Sequence, residues 1–238
     1  VVVDANGLPK ISTTNKTLGK FTPDWTGGIS NTFSYRSLSL SFLIDASVGG
    51  SIFSNTNKTG KYTGVLANTL SGRDAEHGGL WYYTDAMGNN VRLSESPSYS
   101  VSSDGLYYAQ VNGQSTRVYQ DGIMVEGVTE SGSKNEEVVS AEKYYHRIYS
   151  IAEANVYDAS YVKLREVALS YRLPRLWTQK LHLQEASVTL TGRNLWTIYK
   201  SVPNIDPESA LTTGNAQGVE AYSLPTTRSF GVNLSVKF

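Results

Sequence analysis

The last ten residues of the chain alternate strictly between polar and apolar side chains. Successive side chains point to opposite faces of an extended strand, so such a run has one apolar and one hydrophilic side. Chain ends are usually polar, because a frayed terminus gains little from apolar side chains. The pattern predicts a fully paired strand, either against lipid or in a soluble β-sandwich. The apolar positions are Phe230, Val232, Leu234, Val236 and Phe238.

The composition is compatible with both of these settings. The 238 residues carry 21 basic and 21 acidic side chains, so no excess of charge points to a nucleic-acid partner. There is no cysteine, which excludes thiol catalysis and cysteine metal sites. No apolar run reaches the roughly 18 residues of a membrane-spanning helix. A mean hydropathy of −0.30 fits a membrane barrel as well, since the residues that face the lumen of a barrel are polar.

Alternating or β-rich runs elsewhere predict further strands, and the connections between them are alternately short and long. Residues 49–160 and 196–227 are predicted as the long loops. Such alternation is typical of outer-membrane barrels, whose turns are short on the periplasmic side and long outside, with spans of about 9–11 residues. The strands are predicted near 25–36, 38–48, 161–173, 186–195 and 228–238.

The first long loop also contains two helical patterns. A capping box at Ser133 to Glu136 predicts the start of a helix. The expected apolar stripe of that helix is Val138, Ala141, Tyr145, Ile148 and Ala152, and the other helical spacing is Tyr62, Val65, Leu66 and Thr69.

The fold predicted from these patterns is all-β, an antiparallel segment of a transmembrane β-barrel with long extracellular loops that contain short helices. In this setting the backbone of the last strand must be paired on both edges, because hydrocarbon offers no hydrogen bonds. We interpret the last strand, with its terminal Phe238, as a barrel assembly signal.

Several sequence blocks resemble one family in their order and spacing. Asp-Ala-Ser-Tyr-Val-Lys-Leu-Arg-Glu at 158–166 is followed by Gly-Arg-Asn-Leu at 192–195 and Ile-Asp-Pro-Glu at 205–208. With the blocks at 23–50 and 227–238, these are similar to the C-terminal part of SusC-like (RagA-type) TonB-dependent outer-membrane transporters. The similar blocks span most of the chain apart from 51–156.

This resemblance implies a barrel of about 22 strands with a plugged lumen, in the outer membrane of a Gram-negative bacterium. It implies import of oligosaccharides or peptides, a SusD-like surface lipoprotein as partner, energy from TonB through an N-terminal region, contact with outer-membrane lipid, and no cofactor. We expect a plug domain and a signal peptide to lie outside these residues. The alternative is a secreted β-sandwich that binds carbohydrate.

The loop aromatic residues are the predicted contacts with substrate or partner. They are Trp81, Tyr82, Tyr83, Tyr107 and Tyr108, which could stack on sugar rings, contact a lid protein or pack the loop against itself. An enzyme is not predicted, since His77, His146 and His182 are isolated and no nucleophile motif or phosphate loop occurs.

Charged residues raise two further questions. Strict alternation would place Lys163 and Arg165 on the apolar face of their strand, which is costly in mid-bilayer, so we expect that end of the strand at the membrane edge. Asp206 and Glu208 are too few to bind calcium, and a role in a turn is predicted for them.

Overall fold

The structure is a computed structural model that describes residues 1–180, 182–211, 214 and 216–238. The fold is mostly β. The strands are β1 Val2–Val3, β2 Trp25–Tyr35, β3 Leu38–Val48, β4 Ser51–Ser54, β5 Leu80–Thr84, β6 Asn90–Arg92, β7 Tyr99–Val101, β8 Tyr107–Val111, β9 Gln114–Ile123, β10 Val128–Thr129, β11 Val139–Ser140, β12 Val156–Asp158, β13 Tyr161–Arg172, β14 Glu185–Lys200, β15 Val219–Glu220 and β16 Ser229–Lys237. The two larger sheets are antiparallel, while β1 pairs with β10 and β4 with β15 in parallel.

Helices are few and short. The α-helices are α1 Asn55–Thr63, α2 Ala141–Ser150 and α3 Arg175–Lys180, and the 3-10 turns are Ala67–Thr69, Ala75–His77 and Glu153–Asn155. None of the helices in the described ranges has the length and apolar character needed to cross a membrane.

The chain divides into two compact units. The insert unit consists of Val1–Thr17 and Asn57–Asn155, and the sheet unit consists of Leu18–Thr56 and Val156–Phe238. The segment predicted as one long loop is therefore mostly a folded unit with its own sheet. Apart from β9 its strands have only two to five residues, which is why the sequence shows little alternation there.

The sheet unit is built on a five-stranded antiparallel sheet in the order β16-β14-β13-β3-β2. Among the described residues this sheet is open, with β2 and β16 at its edges, and no closed barrel forms. A two-residue turn joins β2 to β3, and residues 173–184 join β13 to β14. We call the end of the sheet with these connections the turn end. The chain leaves for residues 49–160 and 201–228 at the opposite end, the loop end.

The strand register sorts the side chains of this sheet into two faces. Leu190 of β14 lies opposite Leu169 on one side and Val232 on the other, so apolar side chains meet across three strands. We call a set of residues that lie opposite one another across the strands a row. Rows on the same face as Leu190 are also apolar, and the rows between them, on the other face, are hydrophilic. Two apolar rows are Phe33, Leu40, Leu169, Leu190, Val232 and Tyr35, Leu38, Tyr171, Val188, Leu234, while one hydrophilic row is Ser34, Ser39, Ser170, Thr189, Asn233.

A β-bulge near the loop end changes which face of the sheet the side chains of β13 occupy. The register with β3 shifts between Leu164 and Glu166, so Arg165 is the extra residue. Lys163 consequently pairs with Asp45 and belongs to the hydrophilic face, while Val167 belongs to the apolar one. The prediction that Lys163 and Arg165 share the face of Val167 is wrong, because strict alternation fails where a bulge inserts one residue.

A second, smaller sheet completes the sheet unit. Strand β4 pairs with β12 and β15, which brings residues 51–54 next to 156–158 and 219–220. Ile52, Val202 and Ile205 form a buried cluster here, with Tyr157 and Ala159 packed against it.

In the insert unit, the main sheet has the order β6-β5-β9-β8-β7, and β11 pairs with β9. Trp81, Ala109 and Val118 form its buried cluster. Helix α2 begins later than predicted: Ser140 is the N-cap, and its Oγ accepts a hydrogen bond of 3.3 Å from the Lys143 amide. The predicted capping box does not form, because the backbone around it pairs with residues 127–129: the Thr129 amide donates to the Ser133 carbonyl at 2.8 Å, and the Asn135 amide donates to the Gly127 carbonyl at 2.9 Å.

Candidate functional site

The apolar face of the five-stranded sheet is the largest candidate site of the sheet unit. Phe230 is 80% exposed and Val232 is 73% exposed, although both occupy regular positions in a paired strand. Leu190 on β14 and Ile29 and Phe33 on β2 are exposed as well. Contiguous apolar surface of this kind marks a contact with a membrane or another protein, since burying each such side chain contributes about 1.5–3 kcal/mol.

The opposite face of the sheet carries hydroxyl and charged side chains, which suit contact with water. Its hydroxyl groups pair across strands, as in Ser34 with Ser39 at 3.0 Å and Ser170 with Thr189 at 2.8 Å. Arg193 donates from Nε to Glu166 at 2.9 Å on the same face. One side of the sheet therefore suits an apolar environment and the other an aqueous one.

Lys163 is the centre of a charged cluster at the loop end. Its side chain is only 3% exposed, and Nζ donates to Asp206 Oδ1 at 2.6 Å and to Glu208 Oε2 at 2.5 Å. A buried ammonium group is stable only when it is paired, and these two carboxylates supply the pairing. The β14–β16 loop, residues 201–228, is thereby fixed to strand β13.

Arg165, the bulge residue, makes a second connection to the same loop. Its guanidinium binds Asp45 of β3 through two hydrogen bonds, Nε to Oδ1 at 2.6 Å and Nη2 to Oδ2 at 3.0 Å. Nη2 also contacts Glu208, whose Oε1 accepts a hydrogen bond of 2.9 Å from the Tyr161 hydroxyl. Such two-pronged pairing fixes orientation as well as charge.

The electrostatics of Asp206 follow from these contacts. Burial by itself would raise the pKa of the carboxyl group, but hydrogen bonds from Lys163 and Thr226 outweigh it and lower the pKa to about 2. Thr226 donates to Oδ2 through its hydroxyl at 2.6 Å and its amide at 3.2 Å. Asp206 is therefore charged at neutral pH and links strand β13 to two parts of the loop.

The turn predicted for Asp206 and Glu208 is present, since the Glu208 amide donates to Asp206 Oδ1 at 3.0 Å. Sequence reasoning missed their pairing with Lys163 and Arg165. A signal existed, because two basic residues next to Val162, Leu164 and Val167 need acidic partners if they are buried. In the part of the chain that the structure describes, no group of three or more histidine or carboxylate side chains is placed to hold a metal ion.

Glu220 is a second buried acid that the sequence did not single out. Its side chain is fully buried, and Oε2 accepts from Ser54 at 2.7 Å while Oε1 accepts from Thr56 at 2.5 Å. The Ser223 amide adds a bond of 3.1 Å. Burial would raise the pKa of Glu220, but these hydrogen bonds lower it. The carboxylate holds β15 and the following turn against β4.

Two of the five predicted aromatic contact residues are buried within the insert unit. Trp81 is buried, with its ring stacked on Tyr99 at 5.1 Å and in edge contact with Tyr107 at 5.8 Å. Tyr82 is buried against Tyr119, also at 5.1 Å. The remaining three, Tyr83, Tyr107 and Tyr108, are partly exposed and more accessible to a ligand. For all five residues, a contact with substrate or partner stays a prediction.

Comparison with known proteins finds similarity to a TonB-dependent receptor. No protein-family model matches the chain. TonB-dependent receptor P3 of Formosa agariphila is 25% identical over 242 residues, covering 99% of this chain and 18% of the receptor. The chain thus spans less than a fifth of the length of this curated relative. The resemblance to TonB-dependent receptors seen in the sequence is confirmed.

Solved structures of the RagAB peptide importer are also similar. In its open-open state the match has 17% identity and a TM-score of 0.45, covering 92% of this chain and 17% of the importer chain. In the closed-closed state the match has 17% identity and a TM-score of 0.49, and it covers 96% of this chain and 19% of the importer chain. The proteins to which the chain is similar are thus a receptor and an importer, and neither is named as an enzyme.

Proposed function

We propose that the chain is part of a TonB-dependent importer in the outer membrane of a Gram-negative bacterium, which takes up oligosaccharides or peptides. In this proposal the five-stranded sheet is a segment of a transmembrane barrel of about 22 strands. The observation that carries the proposal is the exposed apolar face of that sheet, opposite a hydroxyl-rich face. Lipid would cover the first, and the water-filled lumen would wet the second.

The lengths and ends of the strands support this orientation. Strands β2 and β3 have 11 residues each and β13 has 12, which suits spans of about 9–11 residues. The long connections both leave from the loop end, so we place that end outside the cell. The charged cluster around Lys163 then lies near the outer membrane surface, and Phe238 lies on the periplasmic side.

The proposed partners follow from this placement. A SusD-like surface lipoprotein would cover the extracellular side, where residues 49–160 and 201–228 emerge. TonB would supply energy through a part of the whole protein outside these 238 residues. The similarity to TonB-dependent receptor P3 over 99% of this chain supports the assignment of TonB.

The alternative, a secreted carbohydrate-binding β-sandwich, needs a second sheet over the apolar face. The exposure of Phe230 and Val232 argues against it, because in a sandwich these side chains would form the core. No observation favours this alternative over the barrel.

These 238 residues contain no cysteine, so cysteine scanning of β14 tests the barrel directly once any cysteine elsewhere in the full-length gene product is replaced. Leu190→Cys is expected to react with a fluorophore that brominated lipids then quench, in the full-length gene product reconstituted in vesicles. Thr189→Cys and Thr191→Cys, on the hydrophilic face, are the matched controls and should label with a water-soluble maleimide. Equal quenching at all three positions would overturn the proposal.

Removal of Phe238 is expected to lower the amount of protein inserted in the outer membrane severalfold. The reason is that Phe238 is an exposed aromatic residue directly after β16 and belongs to the stretch in which we infer the barrel assembly signal. Quantitative blotting of outer-membrane fractions measures the effect, with Phe238→Tyr as the control that keeps the ring. Unchanged membrane levels of the truncated protein would refute the role of this residue.

A further inference from the structure

A cleft of about 350 Å³ lies in the insert unit beside helix α2. Tyr62, Asp121, Glu142 and His146 are among the residues that line it. Pockets of this size suit small ligands when aromatic surface and a few polar groups converge in them. The cleft has no part in the two-faced sheet or in the charged cluster.

Tyr62 gives the cleft a rigid aromatic surface. Its ring stacks on His146 with the ring centres 4.1 Å apart and the planes 17° from parallel, and Tyr149 supports it at 5.0 Å. The side chain is nevertheless 47% exposed. An aromatic ring that is already held in place offers contact area to a ligand with little loss of conformational entropy.

Two carboxylates supply hydrogen-bond acceptors in the same cleft. Asp121 is half-buried and accepts one bond of 3.2 Å from the Tyr82 hydroxyl. Burial raises the pKa of Asp121, the bond from Tyr82 partly opposes this, and the nearby charge of Glu142 raises the pKa further. A ligand that donates hydrogen bonds to Asp121 and Glu142 would satisfy acceptors on both carboxylates.

The basic residues of the cleft are already engaged by the protein. Lys61 Nζ donates to the Ala154 carbonyl at 2.7 Å and to Asn155 Oδ1 at 3.2 Å, and Arg73 donates to Thr69 Oγ1 at 3.1 Å. The two basic and two acidic side chains also balance in charge. A charged ligand gains little here, whereas a neutral ligand rich in hydroxyl groups can use the acceptors.

We propose that this cleft binds a neutral saccharide, with one sugar ring stacked on Tyr62 and its hydroxyl groups donating to Asp121 and Glu142. As a site that captures cargo, it rests on the proposed import function and narrows the cargo to a glycan. Binding itself depends only on residues of the insert unit.

The test uses the purified full-length gene product on an array of neutral oligosaccharides, followed by calorimetry with the tightest glycan. Tyr62→Ala and Glu142→Gln are each expected to weaken binding about tenfold, the usual loss for a hydrogen bond to a charged group or a comparable contact. Tyr99→Ala is the matched control, because Tyr99 is 48% exposed and also stacks on one ring of this unit. Glu95→Gln controls for loss of an exposed carboxylate.

Glycan binding that falls with both cleft variants and survives both controls supports the inference. Absence of binding to every neutral glycan overturns it, as does binding that neither cleft variant changes. Preference for trilysine over all glycans also overturns it and assigns the cleft to a basic peptide. The lipid-quenching experiment on β14 is independent, so glycan binding with no lipid contact would reject the import proposal alone.

Discussion

Replacement of Leu190 by arginine is expected to destabilise the protein in a bilayer by about 2–4 kcal/mol. Leu190 lies near the middle of the part of β14 that pairs with β16, between Leu169 and Val232, and its side chain is exposed on the apolar face. A guanidinium at that depth must leave water or deform the bilayer. Urea titration of the reconstituted protein, followed by the shift in gel mobility between folded and heated samples, measures the loss.

Thr191→Arg is the matched control, one residue away on the hydrophilic face. We expect it to cost less than about 1 kcal/mol, because the same charge stays in the aqueous lumen. Leu190→Ala separates the effect of charge from the effect of lost volume. Equal destabilisation by the two arginine variants would show that the two faces do not meet different solvents.

Replacement of Lys163 by methionine is expected to destabilise the attachment of the β14–β16 loop by about 3–5 kcal/mol. The variant leaves Asp206 buried without its cation, which costs far more than the ion pair contributes. Hydrogen exchange of the Glu208 and Thr226 amides, both bonded to Asp206, reports the local opening. Restoration of protection by the added change Asp206→Asn would confirm that the uncompensated carboxylate is the cause.

Arg172→Met provides the comparison on the same strand. Arg172 pairs with Glu185 at 2.9 Å, but both side chains are exposed, so we expect a change of less than about 1 kcal/mol. Loop amides that exchange equally fast in both variants would contradict the role assigned to burial.

Acid should release the same loop in the unaltered protein. The pKa of Asp206 is lowered from 3.8 to about 2, so its contribution, on the order of 2–3 kcal/mol, is complete above about pH 4 and is lost as the pH falls toward 2. The pKa of Glu208 is lowered as well, which acts in the same direction. Exchange at the Thr226 amide measures the transition, and Asp206→Asn should flatten it.

The two-faced sheet was visible in the sequence wherever alternation is strict. The run at 38–48 and the last residues alternate, and β3 and β16 occupy those positions. Strand β14 runs on to Lys200, beyond the predicted 195, because bulges near Asn194 and Ile198 interrupt its alternation while its hydrogen bonds to β13 continue. Periodicity shows a strand only as far as its register stays regular.

Most of the insert unit could not be predicted from the sequence. Its strands have two to ten residues, and the longest, β9, carries polar side chains on both faces. Their stability comes from pairing over long sequence distances, such as β5 with β9, and no local pattern records that pairing.

The candidate sites show the same limit. The block with Lys163 and the block with Asp206 were both conspicuous, but only the fold shows that they meet. Tyr62 and His146 are more than eighty positions apart, and nothing in either neighbourhood predicts their stacking. Interactions within one segment of the sequence could be inferred, and interactions between distant segments could not.

The pairing of β4 with β12 has a consequence for how such proteins diversify. Phe53 lies opposite Val156, so the chain enters and leaves residues 57–155 through two adjacent strands. Evolution can therefore exchange that segment for another of different length without disturbing the register of the five long strands. An exchange must carry residues 1–17 along, since Arg147 binds Asp4 at 2.7 Å and the Pro9 carbonyl at 3.0 Å.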